Sequence, residues 1–183
     1  MQSTKGKAVI PDEECIEHGT NLLSQIHRGA SSRDGEMRDE LDNVRYRYER
    51  RASRFGWGFG NPFRKPDFVL SEPSDKEETI IRRVSFVPPV FNIVEASAVI
   101  GTIRMLSMFR NKYSISIDGV KSWTFRMPLF TVLFFGESDA GAEIWVRVGP
   151  SVREWNILIK PGITRRPLIA ALAFIHHERY FYG

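Results

Sequence analysis

The longest purely apolar segment of the chain lies near its C-terminus, at residues 168–175. No side chain in this segment is polar, and Leu and Ala, which form helices readily, dominate it. Pro167 fits the first turn of a helix, because its missing N–H costs nothing there. A helix that is apolar on every side must be buried on every side, and this one is too short to cross a membrane. The pattern therefore predicts a buried helix over residues 167–177.

The chain before this helix reads as a series of short strands separated by turn residues. After residue 67, runs of β-branched and aromatic residues alternate with Gly, Pro, Asp and Ser signals. Nine strands are predicted, at 68–71, 79–86, 90–95, 99–105, 112–117, 120–127, 129–135, 142–148 and 154–160. The helix would be about 17 Å long, which matches a strand of five or six residues. We therefore predict a mainly β fold, a closed antiparallel barrel threaded by the buried C-terminal helix.

The hairpin around Asp118-Gly119 allows a more detailed prediction. A two-residue loop would place Ile115 opposite Ser122 and Trp123 on the other face of the sheet. A three-residue loop over 117–119, with Gly119 in the left-handed conformation, places the aromatic residues of both strands on one face together with Ile115. The second pairing buries more aromatic area, so we predict the three-residue loop.

Residues 34–54 follow a different period. Apolar residues recur at spacings of four, three and four, at Met37, Leu41, Val44 and Tyr48, as on one face of a helix. Acidic residues lie mostly at the start and arginines at the end, which complements the helix dipole. We predict an amphipathic helix here, either docked with a solvated face or presenting its arginines to an anionic partner.

Residues 1–66 are predicted to form an N-terminal extension, and residues 67–183 the barrel domain. The extension includes a short helix over 11–27 and a linker over 29–35. It ends in the Gly- and aromatic-rich segment 55–66, which follows no predicted strand and so does not fit a phosphate loop. We expect its aromatic side chains to pin a bent linker to the barrel wall or, if exposed, to insert into a lipid interface.

Charge and cysteine content limit the partners and the compartment. The net charge is +4 at pH 7, and the excess lies mainly in residues 68–183, with 14 basic and 11 acidic residues. A mildly basic surface attracts the phosphates of lipids or nucleic acids. The single cysteine, Cys15, excludes an intrachain disulfide and favours a reducing compartment. We therefore predict an intracellular protein without a transmembrane span, located at a membrane surface if it binds lipid.

Five segments occur in a familiar order, at 91–95, 99–104, 113–117, 155–159 and 168–175. This order resembles the tubby C-terminal-like superfamily, which includes the LURP-one-related proteins and the phospholipid scramblases. The resemblance implies a twelve-stranded barrel threaded by a hydrophobic helix, and recognition of membrane lipids such as phosphoinositides through basic side chains. The chain lacks the cysteine-rich run, the Pro-rich N-terminal segment and the Asp-x-Asp-x-Asp-Gly calcium loop, so a scramblase is disfavoured.

Sequence signals for catalysis are sparse. The adjacent residues His176 and His177 point about 100° apart on a helix, so they cannot share a metal ion as an i, i+4 pair does. We expect one of them to cap the helix C-terminus and the other to be solvated. The Gly-x-Ser-x-Gly and P-loop patterns are absent. We therefore predict no catalytic residue, no metal site and no cofactor, and a protein that is not an enzyme.

Seven basic residues are candidates for binding an anionic headgroup. They are Arg82, Arg83, Arg110, Lys112, Lys121, Arg165 and Arg166. The predicted hairpin would bring Arg110, Lys112 and Lys121 together as a compact cluster, whereas the last two precede a helix N-terminus that favours an anion. The alternative is that these cations form a solvated rim.

The leading hypothesis from the sequence is a non-enzymatic binding module. It would dock on anionic, phosphoinositide-type membrane surfaces or on a protein partner through a basic face of the barrel. The alternative is a nucleic-acid-binding β-barrel, since curled sheets with exposed aromatic and basic residues also bind single strands. Nucleic acid is the less favoured partner, because no RNP-like aromatic motif is present.

Overall fold

Twelve strands close into an antiparallel barrel in the computed structural model, which describes residues 10–27, 34–51, 67–107, 112–119, 121–127 and 132–182. The strands are β1 (Thr20–Ile26), β2 (Asp34–Arg38), β3 (Val44–Arg51), β4 (Asp67–Ser71), β5 (Glu78–Phe86), β6 (Pro89–Glu95), β7 (Ala98–Met105), β8 (Lys112–Ile117), β9 (Lys121–Arg126), β10 (Leu133–Ser138), β11 (Gly141–Val148) and β12 (Glu154–Ile159). The helices are α1 (Glu13–His18) and α2 (Arg166–Tyr182). Each strand pairs with its neighbours in the chain, and β1 pairs with β12 to close the barrel.

The C-terminal helix α2 lies inside this barrel. Its residues 167–178 are all buried, including three alanines, which let the surrounding strands approach closely. The ring of Phe174 packs against Phe91 from β6 and Phe68 from β4, with centroids 4.6 and 5.6 Å apart. On another side of the helix, Trp155 from β12 stacks on His176. Strands on different sides of α2 therefore bury its whole circumference.

The two ends of the barrel are defined by this helix. α2 begins at the entry end, where Arg165 pairs with Asp118 of the β8–β9 turn. It finishes at the exit end, where Arg153, in the connection between β11 and β12, donates a hydrogen bond to Tyr180. Because consecutive strands are antiparallel, the connections alternate between the two ends.

The predicted fold class is confirmed. Each of the nine predicted strands overlaps a strand of the barrel, and one of them, at 112–117, has the observed bounds. The predicted buried helix is also present and extends five residues beyond residue 177. Side chains alternate between buried and outward positions along strands such as β8, which is why short period-2 runs identified them.

The predicted hairpin is correct in its faces but not in its loop. Ile115 lies opposite Trp123 and Tyr113 opposite Phe125, and all four side chains are buried. Gly119 has the predicted left-handed backbone, with φ at 65°. The loop is residues 118–120 rather than 117–119, because Ile117 still pairs with Lys121.

The amphipathic helix predicted over residues 34–54 is wrong. Strands β2 and β3 cover residues 34–38 and 44–51. Within the helix predicted over 11–27, only α1 is helical, and residues 20–26 form β1. The barrel therefore includes residues that the sequence analysis assigned to an extension. Segment 55–66 lies outside the described residues.

Truncating the largest fully buried side chain of α2 tests whether the enclosed helix stabilises the barrel. We expect Phe174→Ala to lower the free energy of unfolding by about 3–5 kcal/mol, because Phe174 is fully buried and the barrel wall cannot collapse onto the gap. Urea unfolding followed by fluorescence measures the change. The matched control is Val99→Ala, at a side chain that is 58% exposed. Equal stabilities of the two variants would contradict an enclosed helix.

Candidate functional site

The structure separates the candidate cations instead of clustering them. Lys112 pairs with Arg126 at the exit end, whereas Lys121 pairs with Ile117 at the entry end. Five residues of extended strand therefore separate Lys112 from the tip of the hairpin, about 17 Å at 3.4 Å per residue. The predicted compact cluster is wrong, because a hairpin places its turn and its open end at opposite ends of the barrel. Arg110 lies outside the described residues.

Three of the candidate cations each pair with one carboxylate. Arg82 binds Asp67 at 2.9 Å, Lys121 binds Glu143 at 2.9 Å and Arg165 binds Asp118 at 3.0 Å. The hydrogen bond with Asp67 raises the pKa of Arg82. Burial by itself raises the pKa of Glu143, but hydrogen bonds from Lys121, Ser138 and Trp123 outweigh it, and the pKa is lowered. A phosphate would have to replace these partners.

Arg166, the first residue of α2, pairs with three carboxylates instead of one. Its guanidinium binds Asp75 at 2.9 Å, Glu77 at 2.6 Å and Glu95 at 3.1 Å. Burial lowers the pKa of Arg166, but these carboxylates more than offset that and the pKa is raised. They also supply the negative charge that a helix N-terminus favours, so the chain itself fills the role expected of an external anion.

Arg83 and Lys112 have different surroundings. The guanidinium of Arg83 donates to the carbonyl oxygens of Ser85 and Phe86, at 3.1 and 3.4 Å, and lies 4.2 Å from the centroid of the Phe86 ring. Lys112 begins β8 at the exit end and is partly exposed.

Three cations lie on the outer face of adjacent strands near the exit end. Lys112 in β8 is directly opposite Arg126 in β9. Arg104 in β7 is opposite Ser114, which places it diagonally from Lys112, at about 7–8 Å. The backbone N–H of Leu106 donates to the carbonyl of Lys112 at 2.8 Å, so Leu106 extends the same row. We call Arg104, Leu106, Lys112 and Arg126 the exit-end patch.

The cations of the exit-end patch are accessible. Arg104 and Arg126 are exposed, Lys112 is partly exposed, and within the described residues no carboxylate forms an ion pair with any of them. By register the nearest carboxylate on a neighbouring strand is Glu137, which is opposite Thr124 and diagonal to Arg126. Like charges placed directly across two strands destabilise a sheet, so the fold alone does not account for the pairing of Lys112 with Arg126.

The strand connections have opposite charge at the two ends of the barrel. In the sequence, those at the exit end contain seven basic residues and no acidic residue: Arg28, Arg33, Arg54, Arg64, Lys65, Arg110 and Arg153. Those at the entry end contain three basic residues, Lys76, Lys160 and Arg165, against eight acidic ones: Asp39, Glu40, Asp42, Glu72, Asp75, Glu77, Asp118 and Asp139. Six of the seven exit-end cations lie outside the described residues, so this count is a property of the sequence and the strand order.

The strand residues that border the exit end also include more basic than acidic residues. Among the two terminal residues of each strand at that end, the carboxylates are Asp34, Asp67 and Glu154, and the cations are Arg50, Arg51, Arg104, Lys112, Arg126 and Arg147. Three of these residues are neutralised elsewhere: Asp67 pairs with Arg82, Arg50 with Glu178, and Arg51 with Glu49 and Glu78. Two carboxylates and four cations are left. The exit end therefore has a positive character in both its strands and its connections.

Exposed aliphatic side chains accompany these cations. Val87 is 88% exposed, Val132 is 68% exposed and Val152 is 65% exposed, and each belongs to a connection at the exit end. Leu106 and Phe86 are also exposed there. Apolar side chains beside cations are typical of surfaces that lie in a membrane interface.

A buried polar network holds the last turns of α2. Ser24 in β1 bonds to Nδ1 of His176 at 2.9 Å and to the hydroxyl of Tyr48 at 3.3 Å. Nε2 of His176 lies 3.2 Å from the carbonyl oxygen of Val152 and donates to it, which leaves Nδ1 to accept from Ser24. The imidazole also stacks on Trp155, with centroids 4.4 Å apart. The prediction of one capping and one solvated histidine is wrong, because His177 is buried as well.

The pair Ser24 and His176 resembles part of a hydrolytic dyad in distance only. Both side chains are fully buried, so a substrate cannot approach the hydroxyl. Their contacts instead fix the rotation of α2 inside the barrel. Next to them, Arg50 and Glu178 form an almost fully buried ion pair, with the guanidinium 5.4 Å from the centroid of Phe174.

A metal site and a membrane-spanning helix are both absent from the part of the chain that the structure describes. No three of their His, Cys, Asp or Glu side chains are grouped so that they could hold a metal ion. No helix in this part of the chain has both the length and the apolar character needed to cross a bilayer.

Arg104 and Arg126, two of the three cations of the exit-end patch, are not among the seven candidate residues predicted from the sequence. Both fall within predicted strands, at 99–105 and 120–127, and both alternate with buried neighbours. Alternation would have placed them on the outer face, but the pairing of Arg126 with Lys112 depends on a loop one residue later than predicted.

Comparisons with known protein families, with curated proteins and with solved structures find no match for this chain. The structure shows a twelve-stranded antiparallel barrel that encloses a helix. The tubby-like family assignment stays a prediction.

The buried His176 makes stability dependent on pH. Burial lowers the pKa of His176 to about 3, whereas an unfolded histidine has a pKa of about 6.5. The unfolded state therefore binds a proton that the folded state does not bind, and the free energy of unfolding falls as the pH drops below about 6.5. We expect this group to contribute a loss of about 2–3 kcal/mol between pH 7 and pH 4.5, which His176→Gln removes.

Urea unfolding at the two pH values measures this loss. His18→Gln is the control, because it makes the same substitution at a histidine whose side chain is 70% exposed. If wild type and His176→Gln lost the same stability on acidification, the buried neutral imidazole would be refuted.

Proposed function

We propose that the protein is a binding module that docks on anionic membrane surfaces with the exit end of its barrel. The observation that carries the proposal is the exit-end patch, in which Lys112 faces Arg126 across two strands and Arg104 lies on the diagonal. Repulsion among these cations is relieved when phosphate groups lie against them. Lys and Arg near an anionic leaflet each contribute about 1 kcal/mol of attraction.

The exposed aliphatic residues of the exit end support a lipid surface over other anionic partners. Val87 and Leu106 are exposed at the same end of the barrel as the patch cations, separated from them by no more than a strand or a turn. Cations bind the headgroups while aliphatic groups enter the boundary of the acyl chains. The seven basic residues of the connections, unopposed by any acidic residue there, extend the attraction.

The tubby-like resemblance supports the same proposal from another direction. It implies a twelve-stranded barrel around a hydrophobic helix, and this chain has that architecture. The finer proposal is therefore a phosphoinositide-type headgroup. Of the seven candidate residues, Lys112 lies in the proposed surface, whereas Arg82, Lys121, Arg165 and Arg166 would each have to release a carboxylate first.

Nucleic acid fits the exit end less well. Sequence-tolerant binding of single strands depends on aromatic side chains on which bases stack. Among the described residues, the large hydrophobic side chains exposed at this end are aliphatic, with the exception of Phe86. The guanidinium of Arg83 already covers one face of that ring.

Removing two cations of the patch tests the proposal. We expect Lys112→Gln/Arg126→Gln to weaken partitioning onto vesicles that contain an anionic phosphoinositide by about 30-fold, since two contributions of about 1 kcal/mol are lost. Vesicle flotation at low salt measures the partitioning. The same variant should unfold at an equal or slightly higher urea concentration, because the repulsion between the two strands is removed.

The control is Arg45→Gln/Lys76→Gln, which makes the same change of charge at exposed residues of the entry end. We expect this control to bind like the wild type. Equal loss in both variants would mean that net charge, and not the exit end, drives binding. Wild-type recovery that is the same with and without anionic lipid would remove the proposal, and tight binding of an oligonucleotide alone would favour the nucleic-acid alternative.

A further inference from the structure

The hairpin of β5 and β6 ends in an apolar tip at the exit end of the barrel. Residues 84–90 contain no charged side chain, and Ser85 is the one polar residue among them. Val87, in the turn itself, is 88% exposed, the highest value among the large hydrophobic residues that the structure describes. Val84, on the same hairpin, is 54% exposed. The barrel therefore leaves apolar side chains of this segment in water instead of burying them.

The tip extends beyond the strand that lies beside β5. Phe68 of β4 pairs with Ile81 of β5, so Asp67, the first residue of β4, is level with Arg82. The last four residues of β5, at 83–86, therefore extend past β4. At about 3.4 Å per residue this is about 14 Å of strand, so the tip stands out from this side of the barrel wall.

On its other side, the hairpin adjoins a cation of the exit-end patch. Val90 of β6 pairs with Arg104 of β7. The turn at Val87-Pro88 lies two residues beyond Val90, which is about 7 Å along the strand. Apolar side chains in a membrane interface reach about 5–10 Å into the boundary between headgroups and acyl chains. This spacing allows Arg104 to contact headgroups while Val87 reaches the acyl chains.

The backbone of the tip also suits apolar surroundings, in which an unpaired N–H or C=O group is costly. Pro88 and Pro89 have no backbone N–H. The guanidinium of Arg83 donates to the carbonyl oxygens of Ser85 and Phe86, at 3.1 and 3.4 Å. The tip therefore presents few backbone groups that would lose a hydrogen bond on leaving water.

We propose that the tip of the β5–β6 hairpin penetrates an anionic bilayer and anchors the protein among the acyl chains. This inference rests on the proposed docking of the exit end and assigns the penetration to one element of it. A bilayer presents an anionic layer above an apolar one, at the spacing that separates Arg104 from Val87. Part of the binding therefore persists when salt screens the charges.

A fluorescent probe with polarity-dependent emission, such as nitrobenzoxadiazole, tests the penetration. It is attached to Val87→Cys or, as the control at the entry end, to Val99→Cys, whose native side chain is 58% exposed. Cys15 is fully buried, and wild type treated with the same reagent measures any labelling there. On anionic vesicles we expect the probe at position 87 to shift to the blue and to be quenched by lipids with a quencher on the acyl chain. The probe at position 99 should show neither change.

A second variant measures the contribution of the tip to binding. We expect Val87→Asn to weaken partitioning onto anionic vesicles about tenfold, because the apolar surface of one valine no longer leaves water. This loss should remain at about 0.5 M salt, whereas the effect of Lys112→Gln/Arg126→Gln should shrink there, because charges are screened. The control, Val99→Asn, should partition like the wild type. Urea unfolding checks that each variant is folded.

The outcomes separate the penetration from the docking on which it rests. If the wild type floats with anionic vesicles but the probe at position 87 does not respond, the penetration is overturned and the docking stands. The tip would then be left to another occupant, such as an apolar pocket of a protein. An equal response of both probes overturns the assignment to this hairpin. Absence of wild-type binding to anionic vesicles overturns both proposals.

Discussion

The helix at the centre of the barrel has no exposed face along residues 167–178, and the fold is organised around that constraint. The twelve strands close into a barrel around it, because a sheet with free edges would leave part of its surface in water. The constraint also reaches the polar residues of its last turns, which must find partners inside the barrel, as His176 does with Ser24 and Glu178 does with Arg50.

Much of this architecture was predictable, because a helix that is enclosed by strands gives a clear pattern of apolar and polar residues in the sequence. In the strands after residue 67, apolar and polar side chains tend to alternate, whereas residues 168–175 of the helix are all apolar. The hydrophobic period therefore distinguishes the strands from the helix. The helix predicted over residues 34–54 was wrong because the spacing of Met37, Leu41, Val44 and Tyr48 matches a helical period by chance. Leu41 in fact lies in a turn and is 82% exposed. Within β3, Tyr46 and Tyr48 alternate with exposed arginines, which is the period of a strand.

The candidate site was less predictable, because the electrostatics of the barrel depend on residues far apart in sequence. Arg166 meets Glu95, 71 residues earlier, and Lys121 meets Glu143 on a strand two positions along the barrel. Composition alone counts these cations as free, whereas the fold neutralises them. Lys112 remains in the candidate surface because its cross-strand neighbour is another cation, Arg126. Only the register of β8 and β9 shows this pairing.

Part of the segregation of charge between the two ends of the barrel has a structural cause. Carboxylates at the entry end stabilise the N-terminus of α2, and cations near the exit end complement its C-terminus. This effect falls off within one turn of the helix, so it explains Asp75, Glu77 and Glu95, which bind the first residue of α2. It does not explain Arg104, Lys112 and Arg126, which point away from the helix on the outer wall. The dipole of α2 therefore does not account for these three cations, and the proposed docking on an anionic surface rests on them.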